Sequence, residues 1–525
     1  MAAQPMPDRQ ASITVTPGSI NPSRLLLAAA MAGAAGDALL RVGPMGLNVA
    51  LWAAVLVALT LWVTRGRVVI SRRDDIAGAA LLLLFAAGFA WRADPVLQFL
   101  SLCGLGAVIL LAAMRRPAAR LAASGMLDFA RGGALAAFHI ATGAPLLLFK
   151  DINWKRAQGA ARWGVVGLRG ALLAFPFLLV FGALLMGADP VFSRLVYHQL
   201  HINLPRLLSH TLLMLFFAWI VGGFLRGILG PDSTPVNWPE RPERFGAGAA
   251  ELAIALGLLD ALFFAFVAVQ FRYLFGGTRR VMITPHLTYA QYARHGFFEL
   301  TAVIALALPL LLAAHWLRRP GEAAAPGSRW FAWPAGAMAG LLFIILASAL
   351  FRMRLYQLTY GLTEPRFYTT AFMVWLGLLL GWFIWTVLRE RRQRFAFGAL
   401  VSALAAIVIL QAVNPAALVA KSDIQRALAG KKYDAGYIAR LGSDAAPAIA
   451  AGLPKLPLPA RCAMLQRFAL DLKTQAQRPH WSDWRTWNWS RRRARKLERQ
   501  ALATELPASG CPPPAIGNNH AAAGN

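Results

Sequence analysis

The residues best able to do chemistry stand in LTYAQYARHGFFEL, residues 287–300. Tyr292, His295 and Glu299 recur at three- and four-residue spacing, so a helix would carry a phenol, an imidazole and a carboxylate on one face. Such a stripe could move protons or hold a polar ligand. Glu299 already lies within an apolar run, where an ionised carboxylate needs a cation or a hydrogen-bond donor. Arg272, Arg352 and Arg354, at the ends of neighbouring apolar runs, would supply the cations, and the planar fork of arginine suits carboxylate or phosphate. These six form the expected ligand-binding set. An interfacial belt, with aromatics at the headgroups and arginines reaching toward them, accounts for the same composition without a ligand.

Asp260 is a further candidate, because it falls in the middle of an apolar stretch, where an aspartate costs about 2.5–3.5 kcal/mol on insertion scales. A hydrogen bond to a neighbouring helix is favoured over a proton relay, since no second acid is visible at its depth. His198 and His201, at i and i+3, with His210 beyond them, are weak metal candidates without an accompanying cysteine or HExxH motif. No metal and no cofactor is expected. No P-loop or GxGxxG stands in a strand-to-helix setting, so nucleotide is not implied.

The elements that must position these residues follow from composition. The chain is 58% hydrophobic and 15% charged, with mean hydropathy +0.51, which a soluble multidomain protein does not reach. Apolar runs long enough to cross about 30 Å of hydrocarbon recur near 25–42, 46–64, 76–92, 95–113, 166–188, 207–225, 248–272, 296–316, 331–351, 368–388 and 395–413. The expected fold is all-α, a polytopic transmembrane bundle of about 11 spans with a small helical extramembrane segment. Residues 1–24 read as a disordered arm, 25–413 as the bundle and 414–525 as a basic, Trp-rich tail.

Charge orients the bundle. The segments after even-numbered spans hold about 22 Lys and Arg and those after odd-numbered spans about 10, so the even set is assigned to the cytoplasm. The amino terminus is then cytoplasmic and the tail extracytoplasmic. GGALAAFHIATGAPLLLF, 132–149, would invert every later loop if it crossed. It is read instead as interfacial or re-entrant, within a cytoplasmic segment 114–165. GAMAG and GLLLG place GxxxG motifs in consecutive spans, where close packing of the two neighbours is expected.

In the tail, Ser443 reads as a helix cap and PKLPLPA as a linker. Cys462 and Cys511 could oxidise if the tail lies outside, whereas Cys103 is expected to be buried in the fourth span. WSDWRTWNWSRRRARKLERQ, 481–500, has four tryptophans in nine residues followed by arginines, which suits a segment lying on anionic lipid headgroups. Nucleic acid would use the same residue types but is not expected on the tail's side of the membrane. NWS also matches a glycosylation sequon.

ADPVF at 188–192, FRYLFGG at 271–277, TYAQYARHGFFEL at 288–300, RLYQLTYGLTEPRFY at 354–368, KYDAGYIARLGSDAAPAI and DWRTWNWSRRRAR together resemble a bacterial integral-membrane family, domain of unknown function 4173, related to 4153. The likeness covers roughly 165–499. It implies a polytopic inner-membrane protein of unassigned role and carries over no catalytic residue.

Three function classes follow. The leading one is a transporter or envelope-accessory protein that binds a polar or anionic ligand at its outer face, with no enzymatic step required. A lipid-linked glycosyl or acyl transferase is the second, although the first outer loop, RVGPMGLN, lacks the carboxylates such enzymes carry. The third is a regulator or sensor scaffold acting with an envelope or signalling partner protein. The bilayer is a partner in all three.

Overall fold

The computed structural model describes residues 21–65, 69–114, 118–152, scattered helical positions between 167 and 188, 204–229, 248–274, 297–317, 328–389, 391 and 393–511. Among these residues there are 17 α-helices and no strand, and 11 helices are long and apolar enough to cross a membrane. The protein is an all-α polytopic bundle with a small helical domain at its carboxy end.

In chain order, the long helices of the bundle are α1 (Pro22–Leu40), α2 (Leu47–Thr64), α3 (Arg72–Trp91), α4 (Pro95–Met114) and, after the single turn α5 (Ala118–Leu121), α6 (Met126–Leu146). They continue as α7 (Leu204–Leu229), α8 (Ala249–Leu274), α9 (Phe297–Leu317), α10 (Ser328–Tyr360), α11 (Glu364–Thr386) and α12 (Gln393–Val413). The chain enters α1 three residues before the expected boundary, because Asn21 accepts from the Ser23 amide and Pro22 presets the first turn.

Three apolar cores organise the bundle. Leu25, Leu59, Val63, Leu147, Val221 and Leu225 join α1, α2 and α7 with the end of the α6 segment. Phe85, Val108, Leu404 and Ile407 join α3, α4 and α12. The largest core packs α8 to α11, with Ile304, Met338, Leu342 and Phe383 at its centre. Their outward faces stay apolar and exposed, as Leu258, Leu262, Leu306 and Leu378 illustrate, which is what a helix solvated by lipid tails requires. Cys103 belongs to that outward set rather than to the core expected for it.

Several elements differ from expectation for identifiable reasons. The sequence from 352 to 360, expected as loop, continues α10, since nothing breaks the helix until Gly361, whose φ of +85° ends it. The GxxxG motifs of α10 and α11 do not bring backbones together: Gly340 meets nothing within 4 Å, and Gly377 faces the Leu346 side chain. The close approach lies instead between α6 and α7, where a Cβ on Gly143 would sit 2.7 Å from the Gly223 carbonyl oxygen.

The α6 segment runs on as a π-helical turn to Asp151 and qualifies as a candidate span by length and composition. Gly132 faces Met114 at the end of α4, His139 and Gly143 face Gly227 and Gly223, and Asp151 binds Arg226 near the end of α7. Meanwhile α7 runs antiparallel to α1, with His210 beside Asp37 at one end and Leu225 beside Leu25 at the other. Every named neighbour of the α6 segment therefore belongs to the end of the bundle where α1 starts and α4 and α7 finish. Of residues 166–188, expected as the fifth span, 13 are described and helical, and the other 10 lie outside the described residues.

The carboxy domain packs α13 (Pro415–Leu428), α14 (Ala435–Arg440), α15 (Ala446–Gly452), α16 (Leu458–Ala476) and α17 (Trp489–Ser509) around Val419, Ile438, Ile449, Met464 and Leu465. A Cys462–Cys511 disulfide ties the start of α16 to the residues beyond α17 across a separation of 49 residues. Closing a loop of that length stabilises a fold by about 4 kcal/mol in the chain-entropy account. Ser443 does not cap a helix; α15 begins after Ala445, and the neighbouring Asp444 is used elsewhere.

Candidate functional site

The described residues include only part of the expected ligand-binding set. Tyr292 and His295 lie outside them, as does the side chain of Arg272. Glu299 is exposed in the first turn of α9, Arg354 is exposed and Arg352 half-buried on α10, and no ion pair links Glu299 to either arginine among the described residues. Asp260 is half-buried in α8, and its Oδ1 has no hydrogen-bond partner among the described residues. The hydrogen bond to a neighbouring helix expected for Asp260 is therefore not seen for that oxygen.

His198 and His201 also lie outside the described residues. His210 instead meets Asp37, the acid of the first helix: its Nδ1 donates to Asp37 Oδ2 at 2.6 Å. Arg41 donates to the other carboxylate oxygen through Nε at 2.8 Å and to the Ser209 hydroxyl through Nη1 at 2.7 Å. A carboxylate acceptor at this distance calls for a proton on Nδ1 of the imidazole. Among the described residues no group of three His, Cys, Asp or Glu is placed to hold a metal ion.

The densest polar site lies where the carboxy domain meets the bundle. Asp444, only 1% exposed, accepts from the amides of Ala93 and Asp94 at 2.8 and 2.6 Å through Oδ2 and from the Ser490 hydroxyl through Oδ1. Asp94 accepts from the Val96 amide at 2.7 Å, opening α4, and from the Tyr368 hydroxyl of α11 at 2.5 Å. Arg92 donates from Nε to the Gln411 carbonyl at 2.8 Å and stands 3.9 Å from Asp444. Burial pushes the Asp444 carboxyl up, and the Ser490, Ala93, Asp94 and Arg92 contacts pull it back. Burial also lowers the Arg92 guanidinium, with Asp444 opposing.

Further contacts extend the junction. Asn488 is fully buried and donates to the carbonyls of Phe89 and Arg92 at 2.7 and 2.8 Å while capping α17 through the Arg491 amide. Arg491 reaches the Met45 carbonyl, and the Leu47 amide donates to the Trp487 carbonyl at 2.8 Å. On the other flank, Asp423 accepts from the Leu362 amide at 3.2 Å, and Arg426 donates to the carbonyls of Leu358 and Thr359. The domain thus grips the α1–α2, α3–α4 and α10–α11 turns together, so these three turns lie on one side of the bundle.

Thr486, Asn488, Ser490 and Arg491 of the Trp-rich segment 481–500 are thus buried at the junction. Asn488 of the NWS match is buried with its amide fully used, so the folded chain offers no acceptor there. Half of the motif is a docking surface. A sequence signal existed, since Asp94-Pro95 is a cap followed by an N1 proline and Asn488 precedes a helical pattern. What a sequence does not display is that the two caps meet.

Inside the domain, Glu498 is buried between α16 and α17 and its Oε2 has no hydrogen-bond partner among the described residues. Burial and the nearby Asp471 push its carboxyl up to about 7, against the pull of Arg495 and Arg467. A folded pKa above the unfolded value means that the native state holds the extra proton. Stability is therefore full below about pH 4.5 and falls as pH rises through 7, by about 3 kcal/mol at most. Glu498→Gln should abolish that slope and raise the melting temperature at pH 8; an unchanged pH profile in the variant would refute it.

No curated protein and no solved structure matches the chain. A family model does, over residues 79–452, from the body of α3 to the end of α15. The match takes in Arg92, Asp94, Tyr368, Asp423 and Asp444, stops short of the Trp-rich motif, and starts well before the span suggested by the sequence resemblance. The relation to domain 4173 is not part of it. The chain belongs to the family described as Domain of unknown function (DUF4153), and it is a polytopic membrane protein.

Proposed function

We propose that this is a multi-pass protein of a bacterial inner membrane, a transporter or envelope-accessory protein, whose carboxy domain lies on the extracytoplasmic face and engages a polar or anionic ligand there. The observation that carries the reading is the docking of a disulfide-closed domain on the three turns that the Lys and Arg bias assigns to the outside. Cytosolic thiol pools would keep such a pair reduced.

Chain parity supports the same topology. Residue 114 lies at the far end of the bundle and residue 204 at the domain end, so an odd number of crossings separates them. Both ends of the α6 segment contact the far end, which supports an interfacial or re-entrant piece at the cytoplasmic side.

The test is labelling of Cys462 and Cys511 in intact cells with a membrane-impermeant maleimide, with and without prior reduction by an impermeant phosphine. Labelling that appears only after reduction is expected. Protection from label until the membrane is permeabilised, with an outer control site labelled, would overturn the orientation and with it the outer-face ligand.

A further inference from the structure

The exposed face of α17 is a cationic strip whose first residue is a tryptophan. At about 100° per residue, Trp489, Arg492, Arg493, Lys496 and Arg499 fall within roughly a third of the helix circumference, and all five are exposed. The opposite face, with Ser490, Arg491, Ala494, Glu498 and Ala501, is buried against the domain and the turns below it. No carboxylate pairs with any of the four cations among the described residues; the ion pairs of the domain belong to Arg461, Arg467 and Arg485. Four like charges within three turns repel one another by a few tenths of a kcal/mol per neighbouring pair, which a bound anionic surface would relieve.

The position of the strip narrows what that is. Asn488, one residue before it, is bonded to Phe89 and Arg92 at the end of α3, a membrane-crossing helix by length and composition. Trp489 at 51% exposure and Trp484 at 65% therefore stand at the depth where a bilayer changes from hydrocarbon to headgroups. Tryptophan favours that depth because its ring is apolar and its indole N–H polar. The cations follow it along the same face.

We infer that the exposed face of α17, Trp489 with Arg492, Arg493, Lys496 and Arg499, docks the domain onto the phosphate headgroups of anionic lipid in the adjoining leaflet. The inference rests on the domain lying against a membrane, as in the proposed function, but not on which leaflet it meets. Arg gives bidentate contacts to phosphate oxygens and Lys a point charge, so the strip reads charge and phosphate rather than a particular headgroup.

The test uses the full-length protein purified in detergent, where both faces are accessible and sidedness plays no part. Native mass spectrometry counts phosphatidylglycerol against phosphatidylcholine retained by wild type and by the quadruple variant R492Q/R493Q/K496Q/R499Q. All four substitutions fall on exposed positions, and an unchanged melting temperature reports that the fold is kept. The preference for phosphatidylglycerol should fall about fivefold for each cation removed at low salt, and less at 0.15 M. The double variant W484A/W489A should lose both lipids together.

Equal preference in wild type and the quadruple variant would overturn the inference. So would displacement of phosphatidylglycerol by millimolar inorganic phosphate or glycerol phosphate, which would make the strip a site for a soluble anion. Loss of a single-stranded oligonucleotide by the quadruple variant with phosphatidylglycerol retained would assign it to nucleic acid instead. A cytoplasmic result in the maleimide experiment leaves this measurement unaffected, so the two readings fail separately.

Discussion

Asp444→Ala should release the carboxy domain from the bundle while leaving each folded. The carboxylate holds two backbone amides of the α3–α4 turn and the Ser490 hydroxyl, and its removal leaves Arg92 beside an apolar methyl in a buried setting. Hydrogen bonds to a charged acceptor contribute about 1.5–3 kcal/mol each and do not add fully, so a loss of about 4 kcal/mol at the junction is expected. Trypsin should then cut at Arg92, 9% exposed in the intact junction, far faster than in wild type, with the disulfide still formed. Asp444→Asn should retain one acceptor oxygen and give a partial effect. If cleavage at Arg92 is equally slow in wild type and Asp444→Ala, the carboxylate is not the clasp described here.

Asp151→Asn should be the most damaging single change within the bundle. Asp151 binds Arg226 through two hydrogen bonds at 2.6 and 3.2 Å, and both side chains are 4% exposed. Removing one charge of a buried ion pair costs about 3–5 kcal/mol. Unfolding in detergent, followed by loss of helicity against added denaturing surfactant, should register this loss. The control is the double variant D151N/R226M, which replaces the pair by uncharged groups of similar volume and should recover most of the stability. Failure of the double variant to recover would mean that Asp151 acts through contacts other than Arg226.

The two residues were not equally legible. Arg226 ends an apolar run and counts toward the charge bias, but nothing in the sequence says that it turns inward to meet Asp151. Spans and the helical tail could be read because hydrophobic length and helical patterning are local properties of the chain. Asp37 stands inside the first apolar run, yet its partner His210 lies 173 positions away, where the sequence offers only a weak metal signal. Asp94 and Asp444, 350 positions apart, have the same character. Buried polar pairs between distant elements leave no periodicity, whereas Tyr292 and Glu299 are conspicuous because they share one short segment at helical spacing. The Trp-rich motif misled in part for a related reason: alternate residues of one short segment serve the interior and the surface, and composition averages them.

The continuous helix α10 has a mechanical consequence. Its 33 residues make a rod about 50 Å long, against a hydrocarbon slab of about 30 Å. Such a rod must lean or protrude, and thinning or thickening of the surrounding lipid changes its lean. The rod ends in the short turn at Gly361 that Asp423 and Arg426 hold from above. A change in the lean of α10 would therefore be felt at the turn on which the carboxy domain is seated.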